Sequence, residues 1–118
     1  SEVGGSGFAV GIRLAPDATA GGIGVEDNIA VVEALQREKL ADFINISMGN
    51  YHSFPKMIGG MHEPVGYELP PALPVAEAAA VPVIVTGRFR TLEEVDQIVR
   101  LGQADLVGMT RASIADPD

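Results

Sequence analysis

Two short segments of the sequence combine the residue types that bind a phosphate group. Thr86-Gly87-Arg88 and Gly108-Met109-Thr110-Arg111 each place small residues directly before an arginine. Small residues let backbone N–H groups approach an anion closely, and the planar guanidinium of arginine matches the oxygens of a phosphate. Because the pattern recurs in two successive units of the chain, it predicts one anion site to which both segments contribute.

Further candidate residues lie upstream, at the ends of two other apolar stretches. Arg13 lies near the end of the first stretch, and Ser47, Met48, Tyr51 and His52 follow the second. An arginine within an apolar strand is costly to bury without a partner, so Arg13 needs an acidic neighbour or a ligand. The four later residues have the polar, aromatic and imidazole groups that could border a substrate.

Several kinds of site are excluded by what the sequence lacks. It has no cysteine, which rules out disulfides and thiolate metal sites in this segment. His52, His62 and Glu63 do not have the spacing of metal ligands, so no metal site is predicted. The glycine-rich run at 21–24 lacks the Lys-Ser/Thr pair of a P-loop and the Gly-x-Gly-x-x-Gly spacing of a dinucleotide-binding loop, so we interpret it as a flexible connection.

Composition and charge limit the class of protein. The chain has 118 residues, of which 47% are hydrophobic and 20% charged, as in a soluble globular unit. Sixteen acidic and eight basic residues give a net charge of −8, which disfavours nucleic acids and anionic membranes as partners. We find no transmembrane stretch and no signal peptide, so we expect a cytoplasmic protein. Because the chain is acidic overall, any phosphate site must depend on positive charge that is concentrated locally.

The elements that must position these residues alternate along the chain. Apolar, β-branched stretches predict strands over 8–14, 43–48, 81–86 and 104–109. Helical periodicity predicts helices over 25–38, 73–80 and 91–102, the last of which opens with a Thr-x-x-Glu capping box. Residues 49–71 have no clear period and contain both histidines and both tyrosines, so they are predicted to form a long functional loop.

This alternation predicts an α/β fold with right-handed crossovers and a parallel sheet. In such folds, ligands bind at the carboxyl ends of the strands, which is where all the candidate residues lie. In a barrel, the loops after the last two strands commonly form a phosphate site.

Three motifs carry a resemblance to a known family. Val-Gly-Ile-Arg at 10–13, Val-Pro-Val-Ile-Val-Thr-Gly-Arg at 81–88 and the run from Ala-Asp to Asp-Pro at 104–117 resemble the Old Yellow Enzyme family of FMN-dependent oxidoreductases. The branch that includes dienoyl-CoA reductase and trimethylamine dehydrogenase is the most similar. The resemblance implies that the four strands are the fifth to eighth of a (β/α)₈ barrel. Residues 1–118 would then form a single half-barrel segment of a larger FMN-binding domain.

The resemblance also implies roles for individual residues. Arg13 would lie beside the pyrimidine edge of the flavin and stabilise negative charge there during reduction. The FMN phosphate would be bound by Gly87, Arg88, Gly108, Met109, Thr110 and Arg111. The flavin ring and substrate would be bordered by Ser47, Met48, Tyr51 and His52. No catalytic residue is implied in this segment, because the family's substrate-anchoring pair and proton-donating tyrosine lie on earlier strands.

The activity that the resemblance implies is hydride transfer from NAD(P)H through FMN to an activated alkene. An alternative within the family is an amine dehydrogenase or demethylase whose [4Fe–4S] cluster is bound outside this segment. Two other classes remain open: a sugar-phosphate isomerase or aldolase barrel, and a non-catalytic phosphate- or nucleotide-binding module of the flavodoxin type. Half a barrel has open edges and an uncovered apolar face, which predicts self-association or pairing with the missing half, and no turnover by the isolated chain.

Overall fold

The computed structural model describes residues 7–16, Thr19 and residues 21–117. Within these residues, strands and helices alternate from the first strand to the last helix. The strands are β1 (Gly11–Leu14), β2 (Phe43–Ile46), β3 (Val83–Val85) and β4 (Leu106–Val107). The helices are α1 (Val25–Arg37), α2 (Phe54–Ile58), α3 (Leu69–Glu77), α4 (Leu92–Arg100) and α5 (Arg111–Ala115), with a 3₁₀ turn at Tyr51–Ser53.

The four described strands form one parallel sheet in the order β1-β2-β3-β4. Each strand therefore lies next to the one that precedes it in the sequence, always on the same side. A flavodoxin-like sheet places its second strand on the other side of the first, whereas a (β/α)₈ barrel adds its strands in sequence. The observed order confirms the predicted parallel α/β fold, and it is the order of part of a barrel and not of a flavodoxin-like module.

The strand register separates two faces of the sheet. Alternate residues of neighbouring strands lie side by side, so Arg13 is level with Asn45 and Ile84. The face that packs against the helices is buried and carries Ile12, Leu14, Ile44, Ile46, Val83 and Val85. The opposite face, which corresponds to the interior of a barrel, carries Gly11, Arg13, Phe43, Asn45, Ile84 and Leu106.

Helix ends follow local rules that the sequence already indicated. The capping box that opens α4 is confirmed, because the Thr91 hydroxyl accepts a hydrogen bond from the Glu94 N–H at 3.3 Å. In return, the Glu94 carboxylate accepts from the N–H groups of Arg90 at 2.7 Å and Thr91 at 3.3 Å. The same carboxylate therefore fixes the chain that leaves β3, which belongs to one of the two predicted phosphate segments.

The prediction of a continuous loop over 49–71 is wrong. The segment contains the 3₁₀ turn, α2 and the first residues of α3. The Asn50 side chain accepts hydrogen bonds from the N–H groups of His52 at 2.7 Å and Ser53 at 3.1 Å, which starts the turn. Helical pieces of three to five residues are too short to show a hydrophobic period. Because its first turn contains Pro70 and Pro71, α3 begins earlier than predicted.

Candidate functional site

A cavity of about 660 Å³ lies at the carboxyl edge of the sheet, where the loops after β3 and β4 converge. All seven residues predicted to contact FMN line it, namely Arg13, Gly87, Arg88, Gly108, Met109, Thr110 and Arg111. Parallel strands that end at one edge bring these loops together, although the two phosphate segments lie twenty residues apart in the chain. The structure therefore assembles the predicted residues around one space.

The cavity is basic although the chain as a whole is acidic. Four arginines line it, which is half of the eight basic residues in a chain of net charge −8. They are Arg13, Arg88, Arg90 and Arg111, and they face two carboxylates in the lining, those of Glu68 and Asp116. A local excess of positive charge concentrates anions at this point of the surface.

Arg88 takes part in the site mainly through its backbone. Its φ of 61° is left-handed, a conformation that costs a long side chain about 1–2 kcal/mol. Its Nη1 donates to the Glu63 carbonyl oxygen at 2.9 Å, and the carbonyl of Gly87 accepts from the Gly66 N–H at 2.7 Å. These bonds hold the turn in place and direct the Arg88 guanidinium toward the neighbouring loop. Backbone strain that the surroundings maintain in this way is concentrated at functional sites.

Free backbone donors lie in both cavity loops. Within the described part of the chain, the hydrogen bonds include none donated by the N–H groups of Gly87, Arg88, Met109 and Thr110. By contrast, the Gly108 N–H donates to the Val85 carbonyl at 2.8 Å and continues the pairing of β3 with β4. Unpaired N–H groups on closely spaced loops are the usual donors to phosphate oxygens.

Arg111 is the cavity arginine whose charge is available to a ligand. Among the described residues, its exposed side chain makes no hydrogen bond and no ion pair. Arg90, in contrast, pairs with Glu94 at 3.4 Å, and Arg88 is bonded to the Glu63 carbonyl. Arg111 is thus the side chain best placed to meet an incoming anion.

Arg13 is oriented by one of the residues predicted to border the substrate. Arg13 is exposed, and its Nε donates to the Ser47 hydroxyl at 3.0 Å. Ser47 does not line the cavity, and neither do Met48, Tyr51 and His52. The Tyr51 ring is 87% exposed on the 3₁₀ turn. Of the predicted substrate-side group, only Ser47 is connected to the cavity, and it is connected through Arg13.

Sequence reasoning assigned no role to several residues that line the cavity. Glu68 is only 7% exposed, and its Oε1 lies 2.7 Å from the Tyr67 hydroxyl. Burial and this bond to Glu68 raise the pKa of Tyr67 above its ordinary value. The lining also includes the apolar side chains of Met57, Ile58 and Met61. No spacing signal marks these residues, because they belong to the segment whose short helices have no period.

A metal centre has no support in the part of the chain that the structure describes. There, no group of three or more His, Cys, Asp or Glu side chains could hold a metal ion. His62 Nε2 lies 3.6 Å from Glu63 Oε1, but that carboxylate is already paired with Lys56 at 2.8 Å. The described helices also include none that is both long and apolar enough to cross a membrane.

Comparisons with known proteins agree with the geometry. The NADH:flavin oxidoreductase / NADH oxidase family matches residues 1–118. A multifunctional alkene reductase/demethylase from Caballeronia cordobensis is 32% identical over 117 residues, which are 96% of this chain and 17% of that protein. An NADH oxidase from Thermoanaerobacter brockii is 27% identical over 118 residues, which are 99% of this chain and 18% of that protein.

A solved structure supports the same assignment. Histamine dehydrogenase from Rhizobium sp. 4-9 superposes with a TM-score of 0.79 and 27% identity, over 92% of this chain and 16% of that one. The chain therefore spans between 16% and 18% of the length of the proteins compared here, in keeping with part of a larger barrel. The predicted resemblance to the Old Yellow Enzyme family is confirmed. This chain belongs to the NADH:flavin oxidoreductase / NADH oxidase family.

Proposed function

We propose that this chain supplies the phosphate side of an FMN site in an NADH-dependent flavin oxidoreductase. The observation that carries the proposal is the basic cavity at the carboxyl edge, lined by all seven predicted residues. Its volume of about 660 Å³ is within the usual range for small-molecule and cofactor sites. Free N–H groups on two loops, together with an unpaired arginine, are the donor set that a phosphate group requires.

Each residue then has a separate task. Arg111 pairs with the phosphate, and the N–H groups of Gly87, Arg88, Met109 and Thr110 donate to its oxygens. Arg13, oriented by Ser47, stabilises negative charge at the pyrimidine edge of the ring. When FMN is bound, its chemistry is hydride acceptance from NAD(P)H and delivery to an activated alkene. In the complete barrel, Met48, Tyr51 and His52 border the ring and the substrate.

Amine oxidation is a second candidate, and specific findings favour it. One solved structure with a similar fold is a histamine dehydrogenase, and the alkene reductase of 32% identity is also named a demethylase. In this alternative, electrons leave the flavin for an iron–sulfur centre bound outside residues 1–118. Assays of the complete protein for alkene reduction with NAD(P)H and for amine oxidation distinguish the two activities.

The phosphate site is tested by fluorescence titration of the chain with FMN and with riboflavin, which lacks the phosphate. We expect FMN to bind more tightly than riboflavin. Arg111→Ala should weaken FMN binding by about 2 kcal/mol, or about 30-fold in Kd, and leave riboflavin binding unchanged. Arg37→Ala, which removes an exposed arginine on α1 outside the cavity, is the matched control.

If the 118-residue chain binds neither compound, the titration is repeated with a polypeptide that contains the complete barrel. A preference for FMN that depends on Arg111 in that polypeptide supports the proposal. Equal affinities for FMN and riboflavin there would overturn it, because the phosphate would then contribute nothing to binding.

The proposal includes a partner for the inner face of the sheet. Leu106, on this face, is exposed, and β1 and β4 each pair with one neighbour in the described sheet. Open edges and uncovered apolar residues favour association. We propose that this face pairs with the missing barrel half and, in the isolated chain, with a second copy. A monomer mass in analytical sedimentation at micromolar concentration would contradict the second statement.

A further inference from the structure

The wall of the proposed phosphate site contains a buried carboxylate. Glu68 is 7% exposed and lines the same cavity as the four arginines. A carboxylate beside a bound phosphate is unfavourable unless its own oxygens are engaged, because like charges repel. Both of its oxygens are engaged: Oε1 is 2.7 Å from the Tyr67 hydroxyl, and Oε2 accepts from the Thr86 hydroxyl at 2.5 Å.

Thr86 connects this carboxylate to both phosphate loops. It directly precedes Gly87, so its position sets where the first loop leaves β3. Its methyl group borders the second loop, since a Cβ added at Gly108 would lie 2.9 Å from Thr86 Cγ2. The hydroxyl of Thr86 is fixed by Glu68 and its methyl group faces Gly108, so the side chain sets the separation of the two loops.

The segment that carries Glu68 is itself anchored at several points. The Tyr67 hydroxyl also lies 2.6 Å from the Lys56 carbonyl oxygen, and the Gly66 N–H donates to the Gly87 carbonyl at 2.7 Å. A Cβ added at Gly87 would lie 3.2 Å from Gly66 Cα, so the two backbones are in close contact. Glu68 is therefore attached to a rigid support on one side and to the first phosphate loop on the other.

We propose that Glu68 is a positioning residue for the FMN phosphate. Through Thr86 it holds the turn at 86–88 at the distance from Gly108 at which N–H groups of both loops reach one phosphate. A carboxylate suits this task because each of its two oxygens can accept a hydrogen bond, so that one binds the Thr86 hydroxyl while the other faces Tyr67. The inference rests on the function proposed above, and it adds a residue that acts on the phosphate loops through Thr86.

The test compares two substitutions of Thr86 by the ratio of FMN affinity to riboflavin affinity. Thr86→Val keeps the shape of the side chain and removes the hydroxyl, whereas Thr86→Ser keeps the hydroxyl. We expect Thr86→Val to weaken FMN binding on the order of tenfold with riboflavin binding unchanged, as for other supporting contacts of a binding site. Thr86→Ser should retain most of the FMN affinity.

Glu68→Ala, which removes both acceptor oxygens, is made in the wild type and in Thr86→Val to test whether Glu68 acts through Thr86. If it does, the substitution changes the FMN-to-riboflavin ratio less in Thr86→Val than in the wild type. Equal effects in the two backgrounds would overturn the proposal. A parallel loss of FMN and riboflavin affinity, accompanied by a lower Tm, would also overturn it, because it indicates a role in stability alone.

Failure of the proposed function is recognised separately, before any variant is made. If the wild type does not prefer FMN to riboflavin in the complete barrel, there is no phosphate site to position, and both proposals are overturned. If the wild type prefers FMN but Thr86→Val keeps that preference, only the role of Glu68 is overturned.

Discussion

The two edges of the sheet have the same strand–loop–helix construction but opposite charge. At the carboxyl edge, four arginines line the larger cavity. At the amino edge, a second cavity of about 390 Å³ has Glu77 and Asp105 as the charged residues of its lining. Because both edges are built from connections between the same strands and helices, the fold alone does not explain the difference. The two edges differ in which groups accept hydrogen bonds from their backbone N–H groups.

At the amino edge, carboxylates bind those groups. Asp42 Oδ2 accepts from the Val10 N–H at 2.8 Å, and the Asp42 N–H donates to the Val10 carbonyl at 2.7 Å. Asp105 forms the same pair of bonds with Val83, at 2.8 Å and 3.0 Å. Each aspartate directly precedes a strand and ties it to the start of the neighbouring one. At this edge, the N–H groups of Val10 and Val83 therefore have acceptors within the protein.

At the carboxyl edge, the corresponding donors lack protein acceptors. Among the described residues, the N–H groups of Gly87, Arg88, Met109 and Thr110 donate to no acceptor, and these residues line the same cavity as Arg111. Barrels commonly separate stability and ligand binding between their two ends. We therefore expect substitutions at the amino edge to affect stability. Substitutions at the carboxyl edge should affect cofactor affinity.

The largest expected effect on stability comes from Asp105. Asp105→Ala should lower the free energy of unfolding by about 2 kcal/mol, because it leaves the Val83 N–H without an acceptor at the start of a buried strand. Asp42→Ala should cost less than about 1 kcal/mol. Val10 is 41% exposed and water can replace the lost acceptor, whereas Val83 is 4% exposed. Urea unfolding measures both losses, and neither variant should alter the FMN-to-riboflavin ratio. A changed ratio would contradict the separation of the two edges, and equal losses would contradict the argument from the burial of Val83.

A smaller effect on stability is expected from relieving backbone strain, which occurs at both edges. Outside glycine, the described residues with left-handed φ are Lys39 at 53°, after α1, and Arg88 at 61°. Lys39→Gly should raise the free energy of unfolding by about 1 kcal/mol, because glycine adopts this conformation without strain. Arg88→Gly relieves the same strain but also removes the bond from Nη1 to the Glu63 carbonyl. We therefore expect Arg88→Gly to give no gain in stability and to lower the affinity for FMN. Equal stabilisation by Lys39→Gly and Arg88→Gly would count against a functional turn at Arg88.

The smallest effect is a pH dependence that belongs to the carboxyl edge. Burial and the bond to Glu68 raise the pKa of Tyr67 in the folded state. A raised pKa means that the folded protein binds this proton more tightly than the unfolded chain does. The stabilisation is complete below the ordinary tyrosine pKa of about 10 and is lost as the pH rises above it. Above about pH 10, Tyr67→Phe should lose stability less steeply than the wild type.

Unfolding followed by circular dichroism across this pH range measures the slope for each protein. Tyr51→Phe, which removes a phenol that is 87% exposed, is the control for the loss of a tyrosine. Identical slopes for Tyr67→Phe and the wild type would show that Tyr67 does not contribute in this way.

The elements that could be predicted from the sequence are those with a strong local signal. The period of Val25, Ile29 and Val32 indicated α1, and the Thr91–Glu94 pair marked the start of α4. The bounds of an element are predicted less well where its sequence pattern spans few residues or where it depends on contacts with another element. The strand predicted over 104–109 is shortened to Leu106–Val107, although the N–H groups of Asp105 and Gly108 on either side still bond to β3.

By itself, the sequence determined the order of strands and helices, the two segments predicted to bind phosphate and the family to which the chain belongs. These properties are local, because they depend on hydrophobic period, capping residues and contiguous motifs. Only the tertiary structure decided which side chains share the cavity and what each contacts there. The contact between Glu68 and Thr86 and the bond from Arg88 to Glu63 join residues far apart in the chain, and the packing of one loop against another creates them.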